Sequence, residues 1–135
     1  MKIPGGCLCG GTRYELTEEP FGLGNCHCID CQRSTGAPFV TWGSVPAAAL
    51  RLTRGELTPV YFAQRVRSFA RCCHTPLFFA ETTTSSEIDV AIATLDNPRG
   101  FPPRKNIWTE DRLPWVTLDP AIPVFLRSSR ADAEP

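Results

Sequence analysis

The chain has 135 residues, with 14 Lys plus Arg against 14 Asp plus Glu, so it carries no formal net charge at pH 7. That balance argues against nucleic acid or anionic lipid as a partner held by charge, and no apolar run approaches the length needed to span a bilayer. The length sits at the mode for one domain, which predicts a single unit over residues 1–127 and a frayed polar tail at 128–135.

In chain order, the first signal is Cys7-Leu8-Cys9, followed by the turn pair Gly10-Gly11 and then a run at 12–16 with strand composition. Next comes Cys26-His27-Cys28-Ile29-Asp30-Cys31, which packs three sulfurs into six residues. A short helical turn is expected from after Cys28 to about Ser34, ended by Ser34-Thr35-Gly36. The run at 39–45 reads as a strand, and Pro46 suits the first position of a second helical turn at 46–50.

Further strands are expected at 60–63, 66–70, 77–81 and 88–94. In the last of these Ile88, Val90 and Ile92 alternate with Asp89, so the three apolar side chains share one face and belong in a core. Arg54-Gly55, the segment 82–86 and Asp96-Asn97-Pro98-Arg99-Gly100 supply the reversals between them. The 13 prolines discourage long helices. Beyond the last strand, Phe101, Trp108 and Trp115 lie in a Pro-rich segment, where they either cover the sheet or line a cleft, with core packing as the default. The fold class is mainly β.

Seven cysteines decide the chemistry: Cys7, Cys9, Cys26, Cys28, Cys31, and the adjacent Cys72 and Cys73. An odd count, close pairs and the absence of an apolar leader after Met1 argue against a secreted disulfide scaffold. They point instead to zinc in a reducing cytoplasm. Cys26, Cys28 and Cys31 supply three soft donors within one turn and leave a fourth position for another ligand. Cys7 and Cys9 begin a second site.

Around the cluster, His27 on an extended Cys-His-Cys segment points away from the sulfurs on either side, so it reads as a packing or orienting histidine rather than a ligand. Asp30 reads as a turn or cap residue. Arg33 either offsets the negative charge of the cluster or grips a substrate carboxylate, unless it is simply solvated. Arg112 is expected to pair locally with Asp111 or Glu110 rather than touch a ligand.

Together these pieces resemble the glutathione-dependent formaldehyde-activating enzymes, whose domain also occurs in centromere protein V. The resemblance rests on Gly6-Cys7-Leu8-Cys9-Gly10, on Cys26-His27-Cys28-Ile29-Asp30-Cys31-Gln32-Arg33 with Gly36-Ala37-Pro38-Phe39, and on Thr75-Pro76-Leu77. It continues through Glu87-Ile88-Asp89-Val90, Leu95-Asp96 and Ile107-Trp108 to Asp111-Arg112-Leu113-Pro114-Trp115. It covers nearly the whole chain.

The resemblance implies a β-tent of antiparallel sheets with zinc knuckles and two zinc ions. Cys26, Cys28 and Cys31 take the catalytic site, and Cys7, Cys9 and Cys73 take structural roles. The implied activity is formation or cleavage of S-hydroxymethylglutathione or a related thiol adduct, a carbon–sulfur lyase reaction with glutathione or an analogue and a small aldehyde as partners. One departure stands out. Ala70 occupies the place of the first cysteine of the family's distant pair and His74 the place of a glycine, so the fourth structural ligand is expected to be Cys72, whose thiolate restores an all-sulfur site, with His74 as the rival and an empty site as the third outcome.

Chemically, three thiolates and one zinc ion sum to about one negative charge, which favours exchange with another thiol over activation of water. Zinc there either holds the incoming sulfur as thiolate or polarises the carbonyl oxygen. The competing expectation is a noncatalytic zinc-binding module that engages a protein partner.

Overall fold

The computed structural model describes residues 1–129; the last six residues of the expected tail lie outside the described residues. The elements in order are β1 (Ile3–Gly6), β2 (Arg13–Leu16), β3 (Phe21–Cys26), α1 (Ile29–Thr35), β4 (Val40–Pro46), β5 (Leu50–Arg54), β6 (Leu57–Phe62), β7 (Arg65–Ala70), β8 (Pro76–Ala80), β9 (Glu87–Ala91) and β10 (Asn106–Ile107). Single 3-10 turns at Ala47–Ala49, Ile92–Thr94, Pro98–Gly100 and Thr109–Asp111 complete the set. The molecule is mainly β, as expected.

Strands β1, β2 and β5 form a three-stranded sheet, and the others form a seven-stranded sheet in the order β10-β3-β4-β9-β8-β7-β6. Every named pairing is antiparallel except β10 with β3.

Register gives the large sheet two different faces, because side chains alternate along each strand. Gly43 pairs with Val90, Val45 with Ile88, and Phe78 with Val90, so Val45, Phe78, Ile88 and Val90 share one face. This face forms the larger core with Leu23 and with Tyr14 and Leu16 of the small sheet. Tyr14 meets Phe78 edge-on at 4.9 Å between ring centroids, a geometry that adds about 1 kcal/mol to the area the two rings bury.

Trp42 pairs with Ala91, Phe79 with Asp89, and Arg67 with Phe79, which puts these side chains on the opposite face. There Cys26, Cys31, Trp42 and Ala91 make a second, smaller buried cluster. The alternation at Ile88, Val90 and Ile92 therefore does point into a core, although the strand ends at Ala91 and Ile92 lies in a 3-10 turn.

Four strands were not expected from the sequence: β1, β3, β5 and β10. Two of them, with sequences IPGG and FGLGNC, are rich in residues that strands disfavour, and they exist because neighbouring strands pair with them. The two expected helical turns appear as α1 and as the 3-10 turn at Ala47–Ala49, which Pro46 precedes as cap. Among the described residues, no helix is long and apolar enough to cross a membrane.

Candidate metal centres

The first centre is built at the end of a strand and the start of a helix. Cys26 closes β3 and pairs with Val40 of β4 and Ile107 of β10. The His27 N–H extends this pairing by donating to Ile107 O at 3.1 Å. Cys28 then leaves the strand with φ −63° and ψ 154° and becomes the N-cap of α1, its Sγ accepting from the Cys31 N–H. A capping side chain of this kind satisfies one of the helix's unpaired donors. Gly36 ends the helix in the left-handed conformation, φ 72°.

Strand end, cap and first turn bring the Sγ atoms of Cys26, Cys28 and Cys31 within 4.8 Å of one another. Cys26 and Cys31 are buried and Cys28 is half-buried. Three thiols this close cannot all ionise unaided. Cys31 is held well below the ordinary thiol range by hydrogen bonds from Cys26 and Cys28, and then by the Trp42 N–H and the charge of Arg67. Cys26 is pushed up, chiefly by its contacts with the other two sulfurs and by burial. Cys28 is also raised. A divalent cation among the sulfurs removes that conflict, because it favours all three thiolates at once.

His27 takes no part in the donor set. Its ring is buried, with Nε2 2.8 Å from Asn106 Oδ1, and it lies beside the Phe39 ring. Gln32 binds the loop from the other side, its Nε2 donating to His27 O at 2.7 Å and to Asp111 O at 3.0 Å. Asp30 lies in the first turn of α1 and pairs with Arg65 at 3.7 Å. Arg33 is exposed in the last turn, and among the described residues no hydrogen bond or ion pair reaches its side chain. Arg112 donates to Val116 O rather than to a neighbouring acid, while Glu110 pairs with Arg127. Trp108 packs against the cysteine cluster and Phe101 against the larger core, but Trp115 stands 71% exposed.

Two residues of this centre went unnoticed in the sequence. Trp42 Nε1 donates to Cys31 Sγ at 3.4 Å, and Arg67 reaches the same sulfur at 3.8 Å. Only the tryptophan's place three residues beyond Phe39 in an expected strand hinted at burial. Nothing local distinguishes Arg67 from a solvated strand arginine.

The second centre joins two loops from different sheets. Cys7 and Cys9 follow β1, where a tight turn is closed by Gly10 N–H donating to Cys7 O at 3.1 Å. Cys72 and Cys73 lie in the β7–β8 turn. The four sulfurs lie within 4.8 Å of one another. Cys7 to Cys9 is 3.7 Å, Cys7 to Cys72 is 3.5 Å and Cys9 to Cys72 is 3.2 Å. Tetrahedral coordination with metal–sulfur bonds of about 2.3 Å sets sulfurs about 3.8 Å apart, so the set is close to the size of one ion.

Backbone donors surround these sulfurs: Thr12 N–H points at Cys7 Sγ at 3.2 Å and Gly11 N–H at Cys9 Sγ at 3.4 Å. Cys73 is lowered to about 5, first by the Thr75 hydroxyl and then by backbone N–H groups. His74 is not in the donor group. It is exposed and left-handed, φ 62°, at the place where the turn reverses. Ala70, fully buried, accepts the His74 N–H at 2.7 Å and belongs to the core instead.

A family model described as glutathione-dependent formaldehyde-activating enzyme matches residues 2–111. Among solved structures, the chain is similar to a crystal structure of a Rhodobacter sphaeroides protein, with a TM-score of 0.60 and 23% identity over 90% of this chain and 99% of that one. At that identity the likeness shows the fold. No curated protein matches.

Proposed function

The chain belongs to the glutathione-dependent formaldehyde-activating enzyme family, and from that premise we propose that it is a zinc-dependent carbon–sulfur lyase. It forms or cleaves S-hydroxymethylglutathione or the adduct of a related thiol with a small aldehyde. The observation that carries the proposal is the convergence of the Cys26, Cys28 and Cys31 sulfurs within 4.8 Å at a strand end. Three sulfurs suit a soft divalent ion and leave one coordination position for a substrate.

When bound, zinc would supply a Lewis-acid position at which a thiol is kept as thiolate at neutral pH. The protein's own part is to hold and orient. Cys26, Cys28 and Cys31 would hold the ion. The buried His27–Asn106 contact fixes the end of β3 from which Cys26 and Cys28 project. Gln32 clamps the loop through the His27 and Asp111 carbonyls, and Trp108 shields one side of the cluster from water. In the forward direction the thiolate sulfur bonds to the carbonyl carbon, the π pair moves to oxygen, and that oxygen takes a proton.

Cys7, Cys9, Cys72 and Cys73 would hold a second, structural zinc, with all four positions filled by protein. Residues 1–127 form the zinc-binding unit, and a reducing compartment such as the cytoplasm keeps its thiols available.

Exchange spectroscopy on glutathione plus formaldehyde, with and without the protein, tests the proposal. The exchange should accelerate with wild type and return to the spontaneous rate with Cys31→Ala. No acceleration by wild type would overturn the lyase assignment for this substrate pair and favour a noncatalytic zinc-binding module.

A further inference from the structure

Arg67 comes from β7, four strands away from Cys26 in the large sheet. It stands opposite Phe79 in the β7–β8 register, and its guanidinium carbon lies 4.7 Å from the centroid of that ring. The Phe79 ring in turn lies 6.1 Å from Trp42. The Phe79 ring thus forms a platform under the guanidinium and limits where it can point.

From that platform Arg67 reaches Cys31 Sγ at 3.8 Å, and Trp42 Nε1 approaches the same atom at 3.4 Å. Cys28 has a different partner, the uncharged backbone N–H of Cys31 at 3.3 Å. The donors around the cluster are therefore uneven: one sulfur receives a cation and an indole. Two other charged side chains on this face have partners of their own. Arg65 lies 3.7 Å from Asp30 and 3.5 Å from Glu81, and Asp89 accepts from the Ser44 hydroxyl at 2.6 Å.

We infer that Arg67 is a positioning residue for the three-cysteine centre, acting through Cys31 so that a fourth, anionic sulfur can join the metal. The inference rests on the metal-binding reading given above. Three thiolates and a divalent ion leave one net negative charge, and a thiolate substrate adds another. A guanidinium hydrogen-bonded to one ligand offsets the first charge and draws electron density from that sulfur. Both effects leave the ion a better acceptor for the next sulfur. An arginine that merely packed on Phe79 would offset charge through space but draw no electron density from the sulfur.

Cobalt(II) loading of the whole chain gives a readout independent of catalysis, because each added sulfur ligand contributes a sulfur-to-cobalt absorption band. 2-Mercaptoethanol is titrated at fixed pH and ionic strength, and the half-saturating concentration is read from that band. Arg67→Gln should raise it about tenfold and Arg67→Lys, which keeps the charge, about threefold or less. The four-cysteine centre has no position for the added thiol and should not respond.

A wild-type half-saturation in Arg67→Gln, or a Lys variant as weak as the Gln variant, overturns the inference. Should Arg67→Gln fail to retain cobalt at the three-cysteine centre, Phe79→Leu decides. That change frees the guanidinium from its platform and should raise the value about threefold; no rise overturns the inference. A wild-type protein without any thiol-dependent band overturns the proposed function itself, and the inference with it.

Discussion

Cys72 Sγ lies 3.2 Å from Cys9 Sγ although 63 positions separate the two residues. The sequence favoured Cys72 as the fourth member of this set on donor type, with His74 or no residue at all as rivals. The geometry groups Cys72 with Cys7, Cys9 and Cys73, and places the exposed His74 outside the group.

Cys72→Ser should therefore lower bound metal by about one ion per chain and reduce thermal stability. His74→Ala should change neither. Elemental analysis and thermal unfolding of the two variants check this, and equal metal loss in both would contradict the assignment.

His74 pays a conformational penalty at φ 62°. Its backbone N–H binds Ala70 O in the turn, while its exposed side chain contributes little packing. Relief of left-handed strain outweighs the extra freedom that glycine has in the unfolded chain. His74→Gly should stabilise the protein by about 0.5 kcal/mol, read as a higher urea midpoint with unchanged slope.

Gly55 is the opposite case. It has φ 76°, and a Cβ there would come within 2.4 Å of Gly11 O, on the loop that carries Cys9. Gly55→Ala should cost about 2–3 kcal/mol. Because the strain falls beside the four-cysteine set, that centre should also give up its metal to a chelator faster than in wild type. Metal release that follows the wild-type time course would show that the loop absorbs the clash elsewhere.

Asn106 Oδ1 is the partner of the buried His27 Nε2. Asn106→Ala strands a buried ring nitrogen and should cost about 2 kcal/mol. Metal affinity at the three-cysteine centre should fall as well, because the segment between Cys26 and Cys28 loses its anchor. Denaturant unfolding and chelator competition measure the two effects separately.

Spacing within a few residues was legible in the sequence. The alternation at Ile88 and Val90 predicted a buried face, and the C-x-C and C-x-x-C steps predicted three converging sulfurs. Pairing across long separations was not. Strand β5, with sequence LRLTR, is mostly exposed and exists through its register with β2. The strand expected to run to 94 stops at Ala91, where the Thr94 hydroxyl turns back onto Ala91 O at 2.7 Å and contacts Tyr14 Oη at 2.7 Å. Arg67 gave no local sign of its place, because register with Phe79 puts it beside Cys31.

The sequence by itself determined the three-cysteine knuckle and the mainly β class, since both depend on backbone geometry over a handful of neighbouring residues. Tertiary structure alone decided which sulfur completes the four-cysteine set and which cation meets Cys31. Both contacts join residues that approach each other only after the sheets have paired, and no short-range preference encodes that meeting.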